Sequence, residues 1–499
     1  MDFKKLQNGS DIRGIALPGV EGEVPNLTEA ECEKLTFSFI LWLSEKTGRS
    51  AGDLTVSIGF DSRLSAAALK QAAISAMCSR GVKVLDCGLS STPAMFMSTV
   101  FPEYDCDGAI MITASHLPYN RNGFKYFDKE GGLEKSDISK IISYTQSALE
   151  PEQKQAGESV EISLMDTYCS FLMGKIKNEV ASKTDFDKPL AGLKIIVDAG
   201  NGAGGFFAAD ILAPLGADVD GSLYLDPDGT FPNHAPNPED KKAMHDISVA
   251  VLKHGADLGL IFDTDVDRVA AVDSNGREIS RNGIVALAAA LISDEHKNTT
   301  IVTDSITSNQ LAEFLTDKLG LKHHRFMRGY KNVINEALRL NENGTDCQLA
   351  IETSGHAAYK ENFFLDDGAY LAAKIVIKAA KLAAIGKPLD SLISALEEPL
   401  EAREIRLKVE ESDFSAAADE ALENLRKYAE AQPGMTVVSP NYEGVRLSFD
   451  KENGDGWCLL RKSLHDPLMP LNVESNVKGG CDVIIKSLSS VLHQLADEV

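Results

Sequence analysis

Three stretches of the chain repeat one order of apolar and polar positions: an apolar strand closed by Asp, a loop rich in Gly, Ser or Thr, an amphipathic helix, a Gly and a second strand. The first has a strand at 56–61, a helix from about 65 to 80, Gly81 and a strand at 82–85. The second has a strand at 193–198, glycines from Gly200 to Gly205, a helix, Gly216 and a strand at 217–219. The third has a strand at 300–304, a loop at 305–308, a helix, Gly320 and a strand from Leu321. Glycine at a helix end accepts the left-handed conformation that stops the helix. Such units predict right-handed crossovers and sheets with helices on both faces. From about 396 the pattern changes, with half-buried alternating strands at 404–409 and 445–449 and two helices nearby. Breaks fall in the polar stretch 150–158, near Asn282 and at 386–388. The prediction is an α/β protein of three similar mixed-sheet α/β domains, 1–155, 156–282 and 283–395, followed by an α+β domain, 396–499.

Composition narrows the function classes. A chain of 499 residues has room for several cores, and 43% hydrophobic with 25% charged residues excludes a disordered or fibrous protein. A net charge of −24 without a basic cluster repels nucleic acid and anionic membrane surfaces, so neither is expected as a partner. The longest apolar run, 284–292, is far short of the ~20 residues that cross a bilayer. The start lacks a secretory core and the Arg/Ser-rich character of a presequence, so the expected location is cytoplasmic, or the plastid stroma if a transit peptide has been removed. Eight cysteines without a Cys-x-x-Cys pair read as buried free thiols.

The chemistry lies at strand ends. The apolar run from Ala109 empties into Thr113-Ala-Ser-His116, placing Ser115 where α/β sheets present their sites. Adjacent Ser115 and His116 do not readily form a nucleophile and base pair, and no Gly-x-Ser-x-Gly elbow occurs, so acyl transfer is not expected. The strand 257–262 ends in Asp263-Thr-Asp-Val-Asp-Arg268. Three carboxylates at alternate positions repel unless a divalent cation joins them. A calcium loop would need Gly at Arg268 and Glu at Ser274, so a Mg²⁺-type hard-cation site fits better. The run from Gly200 to Gly205, with Asp218 and Asp220 downstream, also matches a dinucleotide-binding pattern and motivates a rival oxidoreductase reading. Glu352-Thr-Ser-Gly-His356 suits a polyhydroxylated ligand, Asp366-Asp367 reads as a helix cap, and Arg461 with Ser463 forms a candidate anion cradle.

These residues together resemble the α-D-phosphohexomutase superfamily, nearest its phosphomannomutase/phosphoglucomutase branch, over essentially the whole chain. The matching motifs are Ser10-Asp-Ile-Arg-Gly14, Asp61-Ser-Arg-Leu-Ser65, Thr113-Ala-Ser-His116, Val197-Asp-Ala-Gly-Asn-Gly-Ala-Gly204, Asp226-Pro-Asp-Gly-Thr-Phe-Pro-Asn-His234, Asp263 to Arg268, Glu352 to His356 and Arg461-x-Ser463. The resemblance implies four domains around a central cleft. It implies Ser115 as the phosphorylated residue, with Asp263, Asp265, Asp267 and a phosphoserine oxygen as Mg²⁺ ligands. Lys125 and Arg268 would assist proton transfer and charge stabilisation, with Arg13, His116 and His356 nearby. Glu352, Ser354, His356, Gly329 and Tyr330 would face the sugar, and Arg461, Ser463 and His465 the phosphate.

The implied reaction interconverts hexose 1-phosphate and hexose 6-phosphate, of glucose and/or mannose, through a 1,6-bisphosphate. Glucose 1,6-bisphosphate would be the activator, and the protein a monomer or homodimer. Leu117 stands for the family's Asn, Ser10 for Tyr and Tyr330 for the frequent His. The phosphate loop reads Arg-Lys-Ser-Leu-His-Asp-Pro in place of Arg-x-Ser-Asn-Thr-x-Pro and is similar to a plant and algal phosphoglucosamine mutase-like subgroup. Leu464 cannot donate a hydrogen bond. That change motivates two alternatives on the same scaffold, a sugar-1,6-bisphosphate synthase and a phosphoglucosamine mutase; a non-catalytic sugar-phosphate-binding protein is the alternative of another class.

Overall fold

In a computed structural model that describes residues 2–147, 149–150, 156–409, 414–463 and 467–492, the first repeat folds as its pattern predicts. Strands Thr55–Phe60 and Lys83–Leu89 run parallel, joined through helix Ala66–Ser79. The chain divides into two compact units, Met1–Leu291 with Ser354–Leu392 and Ile292–Thr353 with Ile393–Val499.

In the first unit, Gly108–Ile112, Thr55–Phe60, Lys83–Leu89 and Ser159–Glu161 form a parallel core. Arg121–Asp128 and then Asp11–Ile15 add antiparallel on the Gly108–Ile112 side. Val56, Ile58, Ile110, Ile112, Phe124 and Tyr126 alternate onto one face and pack on helices Glu29–Thr47, Ala66–Ser79 and Lys135–Gln146. The first of these helices is fixed by a capping box between Thr28 and Glu31. A second sheet is ordered Glu278–Ile279, Val269–Asp273, Leu258–Phe262, Ile195–Asp198, the last two strands parallel. It is covered by the amphipathic helix Lys241–His254, whose Ala243, Ile247 and Val251 join its core.

The second repeat departs from prediction. After Gly205 the chain takes one short π-helical segment, Phe207–Leu212. The stretch expected as a strand at 217–219 makes one isolated bridge, at Asp218, and a second follows at Leu223. Asp218, Asp220 and Gly221 are poor strand formers, so this side of Ile195–Asp198 keeps only those bridges, while its fully paired parallel neighbour is Leu258–Phe262.

The region predicted as 283–395 contributes to both units. Helices Asn282–Ala290 and Gly368–Ala383 belong to the first, where the Tyr359 hydroxyl donates to the Ala288 carbonyl at 3.1 Å. The second unit holds the parallel strands Lys322–Arg325, Thr300–Thr303 and Cys347–Ile351. It also holds an antiparallel sheet ordered Glu401–Lys408, Leu468–Ser475, Gly456–Leu460, Val445–Phe449, Met435–Val437. Leu447, Cys458, Leu471 and Val473 of that sheet pack against helices Phe414–Ala431 and Gly480–Leu488, the α+β arrangement expected of the C-terminal region. All eight cysteines are free, and all but Cys78 are buried.

Candidate active site

Strand Gly108–Ile112 delivers Thr113, Ala114 and Ser115 at its carboxyl end. Ser115 is buried, at a left-handed φ of 48° that a residue with a Cβ adopts only when its surroundings hold it. Its Oγ donates to Asp263 Oδ2 at 3.0 Å and receives an Arg268 Nη2 N–H at 3.2 Å. His116 Nδ1 lies 3.3 Å from Ser115 Oγ. It is nonetheless a poor base. Arg268 Nη2 donates to the same Nδ1 at 2.8 Å, and burial beside the Arg268 and Arg13 charges lowers the imidazole to about 2.

The aspartates sit on the turn of a hairpin whose strands, Leu258–Phe262 and Val269–Asp273, pair antiparallel down to Phe262 opposite Val269. One carboxylate oxygen each of Asp263, Asp265 and Asp267 lies within 4.8 Å of the others, and all three side chains are wholly buried. Burial and mutual repulsion push Asp263 well above the usual carboxylate range and raise Asp265. Asp267 is held low against the burial penalty by Lys125, His356 and Arg268. Thr92 Oγ1 donates to Asp265 Oδ2 at 2.5 Å, and the Thr92 N–H to the Asp265 carbonyl at 2.8 Å.

Cations surround the cluster. Lys125 Nζ, from strand Arg121–Asp128, lies 3.2 Å from Asp267 Oδ2 and 3.5 Å from Asp11 Oδ2. Arg13 pairs with Asp11 at 3.0 Å and donates to the Ala114 carbonyl at 3.2 Å. His356 Nδ1 lies 2.5 Å from Asp366 Oδ2 and 3.7 Å from Asp267 Oδ1; burial opposes its charge, but the two carboxylates raise it to about 9. Ser115, His116, Lys125, Arg13, Arg268, His356 and the three aspartates therefore converge in the first unit, which also contains the buried Ser354.

Glu352, Gly329, Tyr330, Arg461 and Ser463 belong to the second unit. Gly329, at φ 114°, donates its N–H to Glu352 Oε1 at 2.7 Å just before helix Tyr330–Glu342. The preceding Arg328 N–H donates to Glu443 Oε2 at 3.2 Å, and Glu443 Oε1 lies 4.0 Å from Arg461 Nη1. Arg461 is 6% exposed, and its buried Nε makes no hydrogen bond among the described residues, a donor suited to an anion. Ser463 is held through its N–H on the Leu468 carbonyl at 2.8 Å. Leu464 and His465 lie outside the described residues.

Sequence reasoning missed several partners. Asp11 carries a signal, since it shares a strand face with Arg13 two residues on. Asp366 was read as part of a helix cap; Asp367 alone caps, accepting the Tyr370 N–H at 2.8 Å, and Asp366 faces His356. The glycine run supports the aspartate turn. A Cβ on Gly202 would lie 2.7 Å from the Thr264 carbonyl oxygen, and the Ala203 N–H donates to that carbonyl at 2.8 Å. Asp218, offered as a ribose contact, pairs with Lys194 at 2.9 Å.

The donor set fits a hard divalent cation. Three buried carboxylates converge, and Asp265 Oδ1 accepts no hydrogen bond among the described residues. Oxygen-only ligands at these positions suit Mg²⁺.

Family models described as phosphoglucomutase/phosphomannomutase, alpha/beta/alpha domains I, II and III, match residues 4–152, 168–276 and 280–400 in that order. The chain belongs to the phosphoglucomutase/phosphomannomutase family. A phosphoglucomutase/phosphomannomutase of Thermococcus kodakarensis is 31% identical over 84% of this chain and 86% of its own. A phosphoglucosamine mutase of Acetivibrio thermocellus is 31% identical over 68% and 72%. A crystal structure of a phosphoglucomutase/phosphomannomutase family protein from Burkholderia thailandensis has the same fold, with a TM-score of 0.80, 24% identity and coverage of 99% and 98%. As in the family, three α/β domains precede a C-terminal domain.

Proposed function

We propose that this phosphoglucomutase/phosphomannomutase family member interconverts hexose 1-phosphate and hexose 6-phosphate, of glucose and/or mannose, with Ser115 as the phosphoryl carrier. The observation that carries the reading is Ser115 Oγ held between Asp263 Oδ2 and Arg268 Nη2, beside three converging carboxylates. Asp263, Asp265 and Asp267 would hold a Mg²⁺ together with an oxygen of the phosphoserine. Bound there, the ion supplies neutralisation of charge on the moving phosphoryl group.

In the first half-reaction the P–O bond to Ser115 breaks as a sugar hydroxyl takes the phosphoryl group. The hydroxyl's proton ends on Ser115 Oγ, and Lys125 would relay it. Arg268, donating to that Oγ, stabilises the oxygen as its bond breaks, and the loose transition state of such transfers needs little help from a base. The resulting bisphosphate turns, and its other phosphate returns to Ser115. Arg13 and His116 would assist from beside Ser115, while His356, charged at neutral pH, adds a cation beside Asp267.

Arg461, Ser463 and His465 would hold the phosphate not being transferred, and Glu352, Ser354, Gly329 and Tyr330 the sugar. The reading carries domain boundaries at 155, 282 and 395, glucose 1,6-bisphosphate as activator and a monomer or homodimer. Eight free thiols suit a reducing compartment, cytoplasm or plastid stroma, and no helix among the described residues is long and apolar enough to cross a membrane.

A coupled assay of glucose 1-phosphate and mannose 1-phosphate, with Mg²⁺ and trace bisphosphate, tests the reading; no turnover of any hexose or hexosamine phosphate refutes it. Two alternatives rest on separate observations. Loss of a donor at Leu464 favours release of free bisphosphate, and the similarity to a phosphoglucosamine mutase favours a hexosamine. Product analysis across the three substrates separates them.

A further inference from the structure

We infer that Asp61 and Arg63 act as a single clamp on the backbone of Ser115 and so set the direction of its Oγ, an inference resting on Ser115 as the phosphoryl carrier. Both residues are buried, their side chains 3.4 Å apart at Arg63 Nε and Asp61 Oδ2. Asp61 Oδ2 accepts the Thr113 hydroxyl at 2.7 Å, and Thr113 Oγ1 accepts the Ser115 N–H at 2.9 Å. Arg63 Nη2 donates to the Ser115 carbonyl and, at 2.6 Å, to that of Leu117. Its Nη1 donates to the Pro118 and Arg121 carbonyls at 2.8 and 2.9 Å.

The N–H and the C=O of Ser115 are thus both tied to one buried ion pair. Such ties are needed because φ of 48° at Ser115 is a conformation the chain would otherwise leave. Relaxation toward ordinary φ would swing Oγ away from Asp263 and Arg268, where transfer takes place. A planar five-donor fork can hold four carbonyls at fixed angles, and a lysine cannot.

The clamp also accounts for the Asp226 to His234 motif, which has no place in the chemistry. That turn lies over Arg63: the Phe231 ring stands 5.3 Å from the guanidinium, and a Cβ on Gly229 would lie 2.4 Å from the Ser62 carbonyl oxygen. Phe231, itself at φ 48°, shields the guanidinium from water, which strengthens its hydrogen bonds to the loop. Asp61, Arg63 and Thr113 are positioning residues, since none of them reaches the reacting atoms.

The test compares Thr113→Val, Arg63→Lys and Ser115→Ala with the parent by steady-state kinetics, melting temperature and intact mass. Thr113→Val keeps shape and removes only the link between Asp61 and the Ser115 N–H. For both Thr113→Val and Arg63→Lys the expected result is a kcat lower by about 10²-fold, the cost of ångström-scale misplacement. KM should stay within about threefold, because substrate-holding groups are untouched. Loss of packing alone would lower the melting temperature and leave kcat of the folded fraction unchanged, so parental kcat in both variants, with Ser115→Ala inactive, overturns the clamp. An active Ser115→Ala overturns the carrier reading and the clamp with it.

Discussion

Replacing Asp265 by Asn perturbs the aspartate cluster with the least change of shape. The three carboxylates lie within 4.8 Å of one another, in a site without solvent. At an effective dielectric of about 20, two unit charges at that distance repel by about 3.5 kcal/mol, and with all three ionised removing one charge deletes two such pairs, an upper bound because burial already raises Asp263 and Asp265. Lys125 and Arg13 offset part of this in the metal-free protein, so the net relief is a fraction of that sum. An Asn oxygen can still accept the Thr92 hydroxyl, and the other oxygen of Asp265 accepts no hydrogen bond among the described residues, so little is lost elsewhere. Asp265→Asn should therefore melt at the parental temperature or above it without Mg²⁺, by ~1–1.5 °C per kcal/mol gained for a chain of this size. Added Mg²⁺ should raise its melting temperature less than it raises the parent's. Losing one electrostatic stabiliser should lower kcat by about 10²–10³-fold. Thermal shift against Mg²⁺ concentration, with the coupled assay on the same samples, reads all three. Full activity with an unchanged Mg²⁺ dependence would make the 263–268 turn an acidic turn and nothing more.

Lys125→Met leaves Asp11 and Asp267 without their shared cation; breaking a buried pair costs about 3–5 kcal/mol, so the metal-free variant should unfold at clearly lower urea, and Mg²⁺ should restore more stability to it than to the parent. Gly202→Ala forces a Cβ to 2.7 Å from the Thr264 carbonyl oxygen; overpacking of about 1–3 kcal/mol and a weakened Mg²⁺ response should appear together in thermal shift. The buried His234–Asp198 pair, 3.0 Å apart, sets a pH dependence away from the metal site. Burial opposes the charge on His234, but the Asp198 carboxylate raises its pKa above 6.5, so the folded state holds the proton more tightly; that stability is full below about pH 6.5 and is lost as pH rises through the folded value. Urea midpoints should fall between pH 6 and 8.5 in the parent, and the fall should be smaller in His234→Gln.

The parts of the site legible in the sequence are those whose chemistry is local. Asp263, Asp265 and Asp267 alternate in a loop after an apolar strand, a pattern that makes little sense without a cation, and Ser115 stands at the polar exit of an apolar strand, three residues past Ile112. Asp11, Thr92 and Asp366 were not legible as partners, because each reaches the site through distant pairing. Asp11 arrives through the register of Asp11–Ile15 on Arg121–Asp128, Thr92 through a helix start, and Asp366 through a short hairpin with Ala357–Tyr359. The strand–helix–strand repeat predicted the first and third α/β folds well. It failed at 217–219, where Ala-Asp-Val runs straight into Asp220 and Gly221, poor strand formers, and the chain makes a single parallel bridge at Asp218 in place of a strand. The partition of 283–395 between two compact units reflects packing of helix Gly368–Ala383 that no local pattern encodes.

Transfer at Ser115 is tested most directly by following one labelled phosphoryl group. Protein incubated with hexose 1,6-bisphosphate labelled in its phosphates should acquire one phosphate, located at Ser115 by peptide mass, and should pass the label to added hexose monophosphate in a Mg²⁺-dependent step at the rate of turnover. Ser115→Ala should take up none and turn over nothing. Turnover that persists in Ser115→Ala, or label found elsewhere on the chain at the parental rate, would contradict the assignment of Ser115 as the phosphoryl carrier.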